Sequence, residues 1–123
     1  MKTHHIIVFL SLSLTLLVAG CEKETDKKVV YRISDNASGY SVNYRGPEGA
    51  LHASAVSVAS GEDVWTYAFM AGEGDIVFVS AIYKDITGEI KVEILIDGKV
   101  YKQGYSKYDT VKYVTVSGVV PYE

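Results

Sequence analysis

From Val29 onward the chain breaks into short runs in which apolar and polar side chains alternate. A period of two puts every second residue on one face of a strand. The runs are Val29 to Ser34, Gly39 to Arg45, Leu51 to Val58, Val64 to Met70, Asp75 to Tyr83, Glu89 to Ile96, Lys99 to Tyr105 and Val111 to Val119. Turn formers separate most of them: Asp35-Asn36, Gly46-Pro47, Ser60-Gly61, Gly72-Glu73-Gly74, Thr87-Gly88 and Asp97-Gly98. No stretch after Cys21 keeps a helical period. The expected class is all-β and antiparallel.

The sharpest local signal is Glu89 to Gln103, where Asp97-Gly98 sits between two apolar runs. Both turn positions of a type I′ hairpin need positive φ, which Asp-Gly supplies. A two-residue loop pairs Ile96 with Lys99, Leu95 with Val100, Ile94 with Tyr101 and Glu93 with Lys102. This register puts Ile90, Val92, Ile94 and Ile96 on the core face with Tyr101 and Tyr105. Lys91, Glu93 and Lys102 share the other face with Leu95 and Val100. The runs Val64 to Met70 and Asp75 to Tyr83 differ, because both of their faces are apolar. They read as a central strand pair covered by loops, or as an outward patch for a partner.

Composition narrows the picture. The chain has 123 residues, with 12 Lys and Arg against 15 Asp and Glu, for a net charge of −3. One small domain is the ceiling, and a nucleic-acid partner, which demands a basic face, is not expected. Residues 29–123 are close in length to the roughly 100 of an immunoglobulin-like sandwich, so a fold of that type with seven or eight strands is expected.

The N-terminus reads differently. Lys2 is followed by an uncharged stretch from Ile6 to Val18 that ends in Leu17-Val18-Ala19-Gly20-Cys21. Thirteen helical residues extend about 20 Å, short of the roughly 30 Å hydrocarbon core. This is the layout of a signal peptide, and its end resembles the lipobox of bacterial lipoproteins. Residues 1–20 are thus expected to be removed, and Cys21, the only cysteine, to carry the lipid. The alternative is an ordinary secretory signal with a chance cysteine. Residues 21–28 form the lipidated cysteine and a charged tether. Several acyl chains hold a protein to a leaflet effectively permanently. The expected address is the bacterial cell envelope, lipid-anchored at the outer membrane on its periplasmic or surface face, with inner-leaflet retention as the alternative. The acidic residues just after Cys21 resemble the signals that send some Gram-negative lipoproteins to the surface.

The segments Val29-Val30-Tyr31-Arg32-Ile33, Tyr40-Ser41-Val42-Asn43-Tyr44, Val92-Glu93-Ile94-Leu95-Ile96-Asp97-Gly98-Lys99-Val100 and Val114-Thr115-Val116-Ser117-Gly118 together resemble the periplasmic domain of MmpS-like transport accessory proteins and similar small envelope lipoproteins. The resemblance implies an immunoglobulin-like sandwich working beside a membrane transporter. Members of that family carry a cysteine pair that would fall on Val92 and Val116, so apolar contact between buried valines is implied here instead. A lipobox stands where the family has a membrane helix.

Catalytic chemistry is sparse. A lipidated Cys21 leaves no thiol for a disulfide, nucleophile or zinc site. His52 is the only histidine after it, in Leu51-His52-Ala53-Ser54, without a nucleophile-elbow motif. Gly72-Glu73-Gly74 lacks the residues of a phosphate loop and reads as a hairpin turn. Glu62, Asp63, Glu73, Asp75, Asp85 and Glu89 sit near turns, but they lack the dense acidic alternation of a calcium loop. No enzyme, cofactor or metal is expected. Ten tyrosines are many for this length, and Tyr108, Tyr113 and Tyr122 near the last strand are candidates for a partner or ligand surface. The expected role is a non-enzymatic envelope interaction module, which the family resemblance implies is accessory to a membrane transporter; the alternative is a surface lipoprotein that binds glycan or another small ligand through exposed tyrosines. If the lipobox reading holds, Cys21→Ser blocks incorporation of a labelled acyl precursor and moves the protein from the membrane to the soluble fraction.

Overall fold

The computed structural model describes residues 26–85, 87–107 and 112–122. Residues 1–25, Cys21 among them, and Tyr108 lie outside the described residues. Eight strands form at the expected places: β1 (Asp26–Ser34), β2 (Tyr40–Arg45), β3 (Leu51–Val56), β4 (Trp65–Gly72), β5 (Ile76–Ile82), β6 (Glu89–Ile96), β7 (Lys99–Lys107) and β8 (Tyr113–Val119). They make two antiparallel sheets. Sheet A has the order β4-β1-β6-β7 and sheet B the order β3-β2-β5-β8. Both are four-stranded, and their inner faces pack together as a sandwich.

Alternation decides which side chains face inward. Val29, Tyr31 and Ile33 of β1 and Ile90, Val92 and Ile94 of β6 are fully buried, opposite Val42 of β2 and Val77, Val79 and Ala81 of β5. Val92 and Val116 are both in this core, as expected. Tyr31 and Tyr83 are the largest fully buried side chains, and the Tyr31 hydroxyl crosses between sheets. It donates to the Arg45 carbonyl at the end of β2 and accepts from the Phe78 N–H of β5 at 3.2 Å. A second buried polar group, Asn36, ties the β1–β2 loop to β6. Its amide donates to the Glu89 carbonyl, and its oxygen accepts from the N–H groups of Ser38 and Gly39.

Three local expectations are corrected. First, β1 begins at Asp26, because Asp26, Lys27 and Lys28 pair with Gly72, Ala71 and Met70 of β4, so these three residues, expected outside the domain, belong to its first strand.

Second, Asp97 (φ 51°) and Gly98 (φ 82°) do make the expected positive-φ turn, and Ile96 pairs with Lys99 and Leu95 with Val100. Beyond that, however, Ile94 pairs with Lys102. Tyr101 is an extra residue, a β-bulge, and it reverses the facing of everything after it. Gly104 and Ser106 therefore point inward, the latter sharing a 2.6 Å hydrogen bond with the Tyr83 hydroxyl. Tyr105 points outward instead of into the core, half exposed, with its hydroxyl donating to Glu89.

Third, the runs expected as a central pair belong to different sheets, with β4 an edge of sheet A and β5 central in sheet B. Gly72 to Asp75 is a corner rather than a hairpin. The Asp75 carboxylate accepts from the Gly72 N–H, and the Gly74 N–H is taken by the Val120 carbonyl, so the chain crosses to the other layer.

The bulge also fixes how the sandwich closes on the β7–β8 side. Tyr101 reaches across to β8, where its hydroxyl donates to the Val119 carbonyl at 2.9 Å. Gly104 lies so close to β8 that an added Cβ would sit 2.5 Å from Val114 Cγ1 and 3.2 Å from Val116 Cγ2. Gly104→Ala is therefore expected to destabilise the fold by about 1–3 kcal/mol through overpacking, read as a lowered denaturant midpoint. Tyr31→Phe, which strips the Phe78 N–H and Arg45 carbonyl of their shared partner, costs about 1–3 kcal/mol in the same assay.

Candidate functional site: the outward face of sheet B

The outward faces of the two sheets differ in charge. On sheet A, Arg32 of β1 registers with Glu93 of β6 and donates from Nε to Oε1 at 3.0 Å, and Lys91 Nζ lies 4.0 Å from Oε2. That pairing holds the Arg32 guanidinium above its ordinary pKa. Cationic stems on both sides leave Glu93 nearly covered although it faces outward.

Sheet B presents an outward face with little charge. Ser41, Ile82 and Tyr113 register across β2, β5 and β8 in one row, and Asn43, Ser80 and Thr115 in the next. Ser80 Oγ and Thr115 Oγ1 are 2.8 Å apart at its centre. Apolar side chains surround these hydroxyls: Ile82 and Tyr113 at one end, Ile76 and Val119 at the other, and Leu51, 76% exposed, on β3. Arg45 is the single charged side chain among the described strand residues of this face. A contiguous exposed surface of apolar and small hydroxyl side chains without charge repulsion suits contact with another macromolecule.

Of the expected tyrosines, Tyr113 belongs to this face, and Tyr122 does not. Tyr122 lies beyond β8, against Gly74, at the end where the chain enters at Asp26. Tyr113 starts β8 at the opposite end, about 20 Å away along the strand. The structure does not bring the two together, and Tyr108 lies outside the described residues.

His52 is on the inner side of β3, in register with Tyr44. Its ring stacks on Tyr44 at 5.1 Å and meets Tyr67 at 5.9 Å. It belongs to an aromatic cluster with Trp65 and Phe69, and no described carboxylate is hydrogen-bonded to it. The cluster was missed as a unit, although the alternation of Trp65, Tyr67 and Phe69 was its signal. The turn acids serve their own loops. Asp85 accepts from the Thr87 N–H and hydroxyl, which lowers its carboxyl pKa, and Asp63 accepts from the Ala59 N–H. No group of three metal-ligating side chains occurs among the described residues.

At the end of the sandwich away from Asp26, a groove of about 620 Å³ runs between Val56–Val58 and Ile82–Asp85. Its tyrosines are Tyr40 and Tyr83, both buried. Their ring faces are therefore not open for stacking on a sugar, and the exposed tyrosines lie elsewhere. No protein-family model matches the chain, and a search of curated proteins finds no match.

Burial pushes the phenols of Tyr31 and Tyr40 up to about 12. A raised folded-state pKa means that the neutral phenol is favoured in the fold. The stability this contributes is fully present below pH 10, the ordinary value, and is lost as pH rises through about 12. An alkaline titration followed by tyrosinate absorbance should thus show Tyr31 and Tyr40 ionising after the exposed tyrosines, with the thermal midpoint falling over the same interval.

Proposed function

We propose that the protein is a lipid-anchored module of the bacterial cell envelope that docks on a larger envelope protein through the outward face of sheet B. The observation that carries this reading is the contrast between that apolar-rimmed face, with Arg45 its single charged strand residue among those described, and the ion-paired centre of sheet A. Acylated Cys21 holds the module to the leaflet. Residues 22–25 span about 14 Å at full extension, so the Asp26 end of the sandwich stays near the membrane and Tyr113 and Ile82 stand away from it. The protein acts by binding, without catalysis, metal or cofactor.

The partner is a transport protein if the likeness to MmpS-like accessory proteins extends to role. An immunoglobulin-like ancestry has its own support. The pairings of β1 with β4 and β2 with β5, and of β3 and β8 beside them, are those of strands B with E, C with F, C′ with C and G with F in that fold. The β6–β7 hairpin then fills the place of strand A beside β1.

The alternative is a glycan binder acting through exposed tyrosines, of which Tyr122 is 73% exposed and lies away from the sheet B face; binding on a glycan array that is lost with Tyr122→Ala and survives Ile82→Asp would favour it. The docking reading is tested by crosslinking the lipidated protein in native membranes. Ile82→Asp is expected to abolish recovery of a stoichiometric partner while changing stability by no more than about 0.5 kcal/mol, as for other exposed sites. Unchanged recovery, or no stoichiometric partner for the wild type, overturns the reading.

A further inference from the structure

The end of the sandwich where the chain enters at Asp26 carries a charge that the fold does not use. Arg45 closes β2 there, and the turn Pro47–Gly49 folds back against it. Gly49, at φ 78°, lets that turn come close: an added Cβ would sit 2.7 Å from Arg45 Nη2 and 3.1 Å from Cζ. Arg45 is half-buried, yet its guanidinium makes no hydrogen bond or ion pair with any other described residue. A guanidinium packed in place and left unpaired matches the planar, charge-assisted recognition of phosphate oxygens.

Around it lies a recess of about 260 Å³, between the ends of β2 and β4 and the start of β5. Its other charges are the carboxylates of Glu48 and Asp75. Phe69, Met70 and Ile76 are its apolar walls, the last two more than half exposed. Asp75 Oδ2 accepts from the Gly72 N–H at 2.8 Å, which leaves Oδ1 for a ligand. A Cβ built on Gly72 would lie 3.5 Å from Asp75 Oδ2 and 3.7 Å from Asp26 Oδ1. The recess therefore adjoins the residue at which the tether joins β1.

We propose that this recess binds the headgroup of a zwitterionic phospholipid with a primary ammonium group, phosphatidylethanolamine, from the leaflet that holds Cys21. The inference rests on the lipid-anchor reading above, which puts the recess at the membrane because residues 22–25 reach about 14 Å at most. Arg45 takes the phosphate, the carboxylates of Asp75 and Glu48 accept from the ammonium, and Met70 and Ile76 meet the glycerol and the first acyl carbons. The volume is below the ~300–1,000 Å³ of sites that enclose a whole small molecule, so it admits a headgroup whose chains stay in the bilayer. Two carboxylates to one guanidinium disfavour a headgroup that brings only negative charge, as phosphatidylglycerol does. A choline headgroup keeps the positive charge but has no N–H for a carboxylate to accept. Anchoring supplies the lipid at high effective concentration, so a weak intrinsic affinity fills the site. An occupied recess fixes the orientation of the module on the leaflet, which a single covalent attachment does not.

The test reconstitutes the full acylated chain in phosphatidylcholine vesicles with rising fractions of phosphatidylethanolamine or phosphatidylglycerol, and reads flotation and amide hydrogen exchange together. Phosphatidylethanolamine is expected to slow exchange at Glu48 to Ala50 and at Gly72 to Asp75, and phosphatidylglycerol to leave both segments unchanged. Arg45→Gln is expected to weaken the response at least about tenfold, the size of one lost charge-assisted hydrogen bond. Lys99→Gln removes the same charge at the same end but outside the recess. Because Arg45 and Ile76 also border the outward face of sheet B, Ile82→Asp controls for that face from its far end. Both controls are expected to respond as the wild type, and protection of β6 amides verifies that each variant is folded. Glycerophosphoethanolamine, the headgroup without acyl chains, is expected to leave the same amides unchanged at equal bulk concentration. An equal response to glycerophosphoethanolamine or phosphatidylglycerol, a full response in Arg45→Gln, or a lost one in Lys99→Gln or Ile82→Asp overturns the proposal. A wild type that floats without responding to phosphatidylethanolamine overturns this proposal alone. One that carries no acyl group and stays soluble overturns the anchor reading and this proposal with it.

Discussion

The sandwich depends on one buried phenol. Tyr31 lies at the centre of β1, and a hydroxyl so far inside costs stability unless it is paired. It is paired twice, with a carbonyl of β2 and an N–H of β5. A residue of sheet A thereby satisfies backbone groups of two strands of sheet B, setting the separation of the layers where β2 and β5 diverge. The surrounding rings of Tyr44, Tyr67 and Phe69, with centroids 5.3–6.4 Å from that of Tyr31, fill the remaining space. Burial raises the phenol's pKa and so extends the pH range over which the hydroxyl stays protonated and can donate.

A second constraint sits at the opposite edge. The extra residue in β7 puts Tyr101 where its hydroxyl covers the backbone of β8, and turns Gly104 and Ser106 inward at a point where only small side chains fit. One side of the molecule is thereby sealed. The other side is held apart by the Tyr44, His52, Trp65 and Tyr67 rings and keeps its edges bare. The asymmetry comes from side-chain size. Tyrosine and tryptophan rings wedge one margin open, while glycine and serine let the other close.

The outward faces follow a similar division. Sheet A carries the ion-paired Arg32, Lys91 and Glu93 at the centre of its outward face, with Met70, Val100 and Tyr105 exposed on its outer strands. Sheet B gives the corresponding positions to Ser, Thr and Asn ringed by Ile, Leu, Val and Tyr. In the proposed role this face is presented along the length of the sandwich, and binding through it needs no reactive side chain.

Strand locations, the type I′ turn at Asp97-Gly98 and the inward set on β6 were all legible in the sequence, because period-two alternation and positive-φ turn residues are local properties of the chain. The all-β class follows from these alone. Tertiary structure decided the rest. Nothing in Val64 to Tyr83 records that its two runs belong to different layers, because partner choice rests on contacts with β1 and β8, far away in the chain. The bulge at Tyr101 is equally silent: it is set by the reach of that ring to Val119, and it sent Tyr105 to the surface against the alternation. Tyr113 was recognisable as an exposed aromatic, but its neighbours Ile82 and Ser41 come from other strands. The stacking of Tyr44 on His52, Trp65 and Tyr67 likewise has no local signature, because those rings come from three strands and meet only once both sheets have assembled.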